Sequence, residues 1–282
     1  MNADMLKNFF TILSFTALAF GLLVSCSETE PDSSLPSGAL SGEFSVSATK
    51  KVHFSKGNLY WDGDSFEFEQ NQYDVQESWN TSHVSHFYWS KTDSIAYART
   101  YSIVGAALYD VFFTNDTPET AKGDFVVNGV KGKFCTLSTN EWRYLFNRYN
   151  RYGENCRSGN YKYCVTVCGV NNCVVLLPDN WQWDGGDVGN GWQNEYSEET
   201  TVKWSAMESA GAVCLPAAGF RDGPDVYGVG NFGYYYASSS MGENIAHHID
   251  FNSSDVRPAE SDYRNRGFSV RLVTESKESF LD

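Results

Sequence analysis

Short alternating runs of apolar and polar residues dominate this chain of 282 residues. Between positions 43 and 69, "FSVSA", "KVHFSKGNLYW" and "FEFEQ" alternate with period two, which predicts strands broken at Gly57 and at Asp62–Asp64. "VSHFYWS" and "ALYDVFF" carry a weaker strand signal, and the whole of 70–125 reads as loop-rich. "FVVNGVKGKFCTLS" predicts a hairpin turning at or near Asn128-Gly129. "YCVTVCGVNNCVVLLP" predicts a second one, around Gly169–Asn172.

Helical signals are fewer. Ser138-x-x-Glu141 is a capping box, and Trp142, Leu145 and Phe146 follow at helical spacing as core residues. Thr201–Ala210 predicts a second helix, with Trp204 and Met207 on its buried side and Gly211 as its stop. After Gly211 come "AVCLPAAGFRDG", "GVGNFGYYYASSS", "IAHHIDFNSSDVRP" and "RNRGFSVRLV", which read as short strands between Gly/Ser/Asn/Asp turns. No fixed-period repeat appears. Early strands, two helices and late strands together predict an α+β class.

The N-terminus changes the picture. Lys7, the apolar run "FFTILSFTALAFGLLV" and "LVSC" have the order of a secretory signal over residues 1–25. Cys26 resembles a lipobox cysteine, which predicts lipidation there and a protein held to a membrane without spanning it. Residues 26–41, polar and rich in Ser, Pro and Gly, read as a tether. Glu28, Glu30 and Asp32 behind the cysteine resemble a surface-export signal, so the expected location is the outer membrane, at the cell surface. Residues 42–282 are then a single domain, with a β-rich part at 42–136 and a ligand-face part at 211–273.

A net charge of −14 with scattered lysines leaves no basic stripe for phosphates, which argues against a nucleic-acid partner and against an anionic lipid surface. Six cysteines follow Cys26: Cys135, Cys156, Cys164, Cys168, Cys173 and Cys214. They permit 15 complete pairings. A Cys168–Cys173 bridge or buried free thiols are favoured over zinc, because the spacing falls on a hairpin. Asp184, Asp187 and Asn190 lack the spacing of an EF-hand calcium loop. His83 and His86 have no third ligand in evidence, and the adjacent His247 and His248 point to opposite faces of a strand. No metal and no cofactor are expected.

Several separated motifs resemble one family. "LPAAGFRDG", "GYYYASSS", "AHHIDF" and "RGFSVRLV", with the upstream "FSVSATKKVHFSKGNLYW", "TLSTNEWRYLF" and "LLPDNW", resemble a Bacteroidetes lipoprotein family over roughly 42–273. That family is related to the Fibrobacter major paralogous domain and to the formylglycine-generating-enzyme-like variant of the C-type lectin fold. Some relatives are variable proteins of diversity-generating retroelements. The resemblance implies a C-type lectin-like domain in which two helices flank short twisted strands and long loops form one exposed face.

The scaffold matches are Leu215, Pro216, Ala217, Gly219, Gly230, Gly233, Ala246, Phe251, Val256, Gly267, Ser269, Val270 and Arg271. The positions that the family pattern leaves free are the candidate ligand-binding residues. They are Asp222, Asp225, Tyr227, Phe232, Tyr234, His248, Asp250, Asp255, Arg257, Tyr263 and Asn265. Within "GVGNFGYYYASSS" this splits the rings, with Tyr235 and Tyr236 in the core and Phe232 and Tyr234 presented.

There are departures. Tyr235-Tyr236-Ala237-Ser238-Ser239 stands where the family shows Tyr-Trp-Ser-Ser-Ser, so a looser buried contact is expected at Tyr236. The Glu-Pro-Asn and Trp-Asn-Asp calcium motifs of sugar-binding lectins are absent. No cysteine follows Cys214, so the copper chemistry of the related enzymes has no ligands in the C-terminal part, and no catalytic residue is assigned. The expected function is a surface ligand-binding or adhesion module for a protein or a glycan. A structural or tip subunit of an appendage is the second reading, and a formylglycine-generating-type oxidoreductase the third.

Overall fold

The computed structural model describes residues 35–78, 80, 82–89, 126–146, 161–182, 195–200, 203–241 and 245–276. The signal segment, Cys26, "ALYDVFF", Cys156 and the Asp184–Asn190 stretch lie outside the described residues. Strand accounts for 49% of the structure and helix for 8%, so the fold is mainly β and the expected α+β, C-type lectin-like class does not hold. The capping-box and Trp/Met signals are real, but each produces only a short helix.

The first helix, α1 (Thr139–Phe146), is eight residues long, and the second, α2 (Trp204–Ser209), is six. In α1 the capping box forms as expected. The Ser138 amide and hydroxyl both donate to Glu141 Oε2, at 2.7 and 2.8 Å, and the Glu141 amide returns a 3.4 Å bond to the Ser138 hydroxyl. Lys50 pairs with the other Glu141 oxygen at 2.9 Å. In α2, Trp204 and Met207 are buried, and Gly211 follows at a φ of 91°. Thr201 and Val202, predicted as helix, lie outside the described residues.

Among the described residues the strands form five sheets. The first has β1 (Ala39–Ser45), β2 (Lys51–Ser55), β19 (Leu272–Glu275) and β8 (Cys135–Thr136) in that order. Strand β1 thus takes in residues 39–41, which the sequence assigns to the tether. The second sheet runs β3 (Leu59–Trp61), β4 (Phe66–Phe68), β6 (Val126–Val127), β7 (Val130–Lys131). The Asp62–Asp64 break is an aspartate turn in which Asp62 Oδ1 accepts the amides of Asp64 and Ser65. Asn128-Gly129 is the turn between β6 and β7, at φ 50° and 71°.

The third sheet runs β11 (Glu195–Tyr196), β9 (Tyr161–Val167), β10 (Val170–Leu176), β12 (Val213–Leu215). Its hairpin turns at Cys168-Gly169, earlier than the predicted Gly169–Asn172, because Val167 pairs directly with Val170. That register puts Cys168 in the turn and Cys173 opposite Val165, so the expected Cys168–Cys173 bridge is not formed. Cys164, Cys168, Cys173 and Cys214 are free thiols, but only Cys173 and Cys214 are buried, so the alternative of buried free thiols holds for those two and not for the part-buried Cys164 and Cys168.

The fourth sheet runs β14 (Asp225–Tyr227), β13 (Phe220–Asp222), β18 (Gly267–Phe268), β5 (Phe87–Tyr88). The fifth is the antiparallel meander β15 (Gly233–Met241), β16 (Ile245–Phe251), β17 (Val256–Tyr263).

The meander sits between two apolar clusters. Tyr235, Ala237, Ile249, Phe251 and Val256 face one, which holds Trp142, Leu145 and Phe146 of α1. Tyr236 and Ala246 face the other, with Trp89, Phe268 and Leu272. A third cluster joins the outer side of β9, β10 and β12 to Trp204 and Met207. The alternation along β15 therefore reads as one ring into each cluster, since neighbouring side chains leave opposite faces.

Both buried tyrosine hydroxyls find polar partners. The Tyr235 hydroxyl donates to the Pro216 carbonyl at 2.9 Å and accepts from Asn58 Nδ2 at 3.1 Å. The Tyr236 hydroxyl donates to the Arg266 carbonyl at 2.7 Å. Tyr236 is fully buried with its ring 4.8 Å from Phe268. Serine caps the arrangement, as the Ser239 hydroxyl accepts the Thr139 amide at 3.1 Å.

Candidate functional site

The site begins with the β13–β14 hairpin, which is closed by Gly223 and Pro224. Phe220 and Tyr227 pair across it, and their rings stack with centroids 5.5 Å apart. The chain then turns through Gly228–Asn231, where the Phe232 amide donates back to the Gly228 carbonyl at 2.9 Å. Gly230 is needed for its φ of 73°. Gly233 is needed for a different reason: a Cβ there would lie 2.0 Å from Cζ of Phe251, whose ring covers the Gly233 backbone.

This turn delivers Phe232 and Tyr234 to the Phe220–Tyr227 pair. Tyr234 is the central ring, stacked on Phe268 at 4.9 Å and meeting Phe220 edge-on at 5.5 Å and Phe232 at 6.4 Å. Tyr227 and Phe232 remain 48% and 41% exposed, so their faces are available for contact. Half-burial, then the Asp250 charge, pushes the Tyr234 hydroxyl above its ordinary value. It therefore stays neutral and can donate a hydrogen bond.

Polar groups frame the rings. Asp250 is buried opposite Tyr234, and it grips Arg257 through two bonds of 2.7 and 2.5 Å. Such a bidentate pair fixes both side chains. His248, also buried, lies 5.8 Å from the Tyr234 ring and 4.8 Å from Phe268. Its Nδ1 has no hydrogen-bond partner among the described residues. Arg266 donates to Asp222 at 2.8 Å, approaches Asp262 at 3.9 Å and lies 5.6 Å from the Phe220 centroid.

Of the predicted residues, Asp222, Asp225, Tyr227, Phe232, Tyr234, His248, Asp250 and Arg257 thus come together on one face or directly under it. Three do not join the rings. Tyr263 is 61% exposed, but it pairs with Ile245, and strand alternation sets it on the opposite side from Asp262. Asp255 belongs to the β16–β17 turn, where its carboxylate accepts the Val256 amide at 2.9 Å. Asn265 is a turn residue between the buried Arg264, whose guanidinium lies 4.3 Å over Trp89, and Arg266. Phe220, Asp262 and Arg266 were missed. The first could have been found from the hairpin pattern Phe220–Asp222/Asp225–Tyr227, which sets its ring across from Tyr227.

The other candidate chemistry resolves as structure. His83 Nε2 lies 2.7 Å from Glu69 and its ring stacks on Tyr60 at 4.2 Å. His86 is fully buried, donates to the Ala218 carbonyl at 2.8 Å, and is pushed down to about 4 by that burial. The two histidines therefore do not share a ligand. His247 and His248 face opposite ways, as expected, with His247 Nδ1 toward the Glu260 carbonyl at 3.3 Å. Among the described residues no three His, Cys, Asp or Glu groups converge as a metal site. Burial raises the Cys214 thiol well above its ordinary value, which suits an inert core thiol.

No family model matches the chain, and comparison with curated proteins and with solved structures likewise returns no match. Function is therefore read from the site.

Proposed function

We propose that this protein is a surface-displayed recognition module whose binding face is the aromatic strip Tyr227–Phe220–Tyr234–Phe232 with its Asp–Arg frame. The observation that carries the reading is the division of rings along one strand. Tyr235 and Tyr236 are fully buried and hydrogen-bonded, whereas Phe232 just before the strand is exposed and Tyr234 is only partly buried, packed against the edge of the second cluster. Exposed rings held by glycine turns and ion-paired side chains suit binding, because they offer large contact area with few rotamers to freeze.

Lipidation at Cys26 and display at the outer membrane belong to the same proposal, supported by "LVSC", the acidic tether and the motif resemblance to surface lipoproteins. Adhesion to a neighbouring or host cell is the role that this location and face suit best. The test is a binding screen of the chain on arrays of extracellular proteins and glycans, repeated with Phe232→Ala and Tyr234→Ala. Loss of the hits in both variants is the expected result. Hits that survive both substitutions would refute this face as the binding surface.

A further inference from the structure

Resting on that recognition reading, we infer that the open end of the face takes a basic side chain, a lysine or an arginine presented by a protein partner. The β13–β14 register sets Asp222 directly opposite Asp225. Like charges so placed repel. Asp222 is neutralised by Arg266, 2.8 Å away. Asp225 has no cation among the described residues, and the Tyr227 hydroxyl donates to it at 3.4 Å.

The ring beside this carboxylate is the exposed Tyr227, backed by Phe220. A carboxylate next to an open ring face attracts an ammonium or guanidinium twice over, by its charge and by the ring quadrupole. The same face already builds this arrangement from its own residues. There the Arg266 guanidinium lies 5.6 Å from the Phe220 centroid while it pairs with Asp222 and lies 3.9 Å from Asp262. A partner cation over Tyr227 beside Asp225 would repeat it on the adjoining ring.

Charge complementarity favours this occupant over others. Arg257 is held by Asp250 and Arg266 by Asp222, so neither guanidinium is left over for an acidic ligand. The chain as a whole carries −14, which draws cations toward it. A neutral sugar would stack on the rings but leave Asp225 uncompensated.

The probes are acetyl-Gly-Lys-Gly-amide, its arginine analogue, the Nε-acetyl-lysine counterpart and maltohexaose, each titrated into the full chain with aromatic resonances followed by NMR. The basic peptides are expected to shift Tyr227 and Phe220, and Asp225→Asn to weaken them about fivefold. Asp225 is exposed, so unfolding of the variant is not expected, and a denaturation midpoint verifies this. The inference is overturned if the acetylated peptide or maltohexaose produces the same shifts, or if Asp225→Asn binds the basic peptides as the wild type does. It is also overturned if the basic peptides leave both rings unmoved. Array hits that need Phe232 and Tyr234 but not Asp225 would sink this inference and leave the recognition reading standing. Hits that need none of the three would sink both.

Discussion

Replacing Gly233 by alanine separates two reasons for a glycine in this face. An added Cβ would sit 2.0, 2.3 and 2.5 Å from three carbons of the Phe251 ring, against the ~3.5–4.0 Å of ordinary carbon contact. The ring cannot simply swing away, because it is buried and lies 6.0 Å from Tyr235 in a near-parallel stack. Interiors are packed at crystal-like density, so forcing a ring aside costs about 1–3 kcal/mol. Alanine would itself gain roughly 0.5–1 kcal/mol over glycine in a strand, which partly offsets this.

The expected net loss is about 1 kcal/mol, measured by urea denaturation of Gly233→Ala. In a Phe251→Ala background the clash has no partner, so the same substitution should be neutral or stabilising. The coupling between the two positions should reach at least about 1 kcal/mol. Gly230→Ala is the control: open space surrounds it, and only its φ of 73° is violated, at about 1–2 kcal/mol independent of Phe251. A neutral Gly233→Ala, or an equal loss in both backgrounds, would refute the packing of Phe251 over this glycine.

The remaining predictions concern the rings and the caps. Burial first, opposed for Tyr235 by the Asn58 hydrogen bond, holds the Tyr235 and Tyr236 hydroxyls well above their ordinary value of 10. Their contribution to stability is thus complete below pH 10 and falls as pH rises through 10, where the unfolded chain ionises first. Tyr235→Phe with Tyr236→Phe should flatten that alkaline loss in a denaturation series from pH 8 to 11, and an unchanged slope would contradict the burial of both hydroxyls. Tyr234→Ala should cost about 2 kcal/mol, because its ring stacks on Phe268, whereas Phe232→Ala should stay within ~0.5 kcal/mol. Thermal midpoints check this contrast. Glu141→Ala removes the capping box and the Lys50 pair, and should lower stability by about 1–2 kcal/mol in urea.

Local chemistry in this chain could be read before the fold was seen. Asn128-Gly129 makes its hairpin, Ser138 and Glu141 make their capping box, and the alternation of Tyr234, Tyr235 and Tyr236 makes three rings on two faces. Long-range pairing was not legible. Strand β4 pairs in parallel with β6, and β11 with β9, across segments whose sequence carries no mark of the partner.

The class failed for a related reason. Helical signals of full strength at Ser138–Phe146 and Trp204–Met207 specify one or two turns each, and nothing in them says how little of the chain they occupy. Arg266 was missed because its role depends on Asp222 and Phe220 in another strand, brought near it by the pairing of β13 with β18. Tyr263 was included because it falls at a position left free in the pattern the chain resembles, but a one-residue step along β17 puts it on the other face.

The central claim is that one set of rings builds the scaffold and a second set is presented for binding. It is tested most directly by a single double variant, Tyr227→Ala with Phe232→Ala, applied to the protein and glycan arrays alongside the wild type. Both rings are exposed rather than part of a core cluster, so the account predicts an unchanged thermal midpoint with loss of the wild-type hits. A double variant that keeps every hit would contradict it, as would one that unfolds.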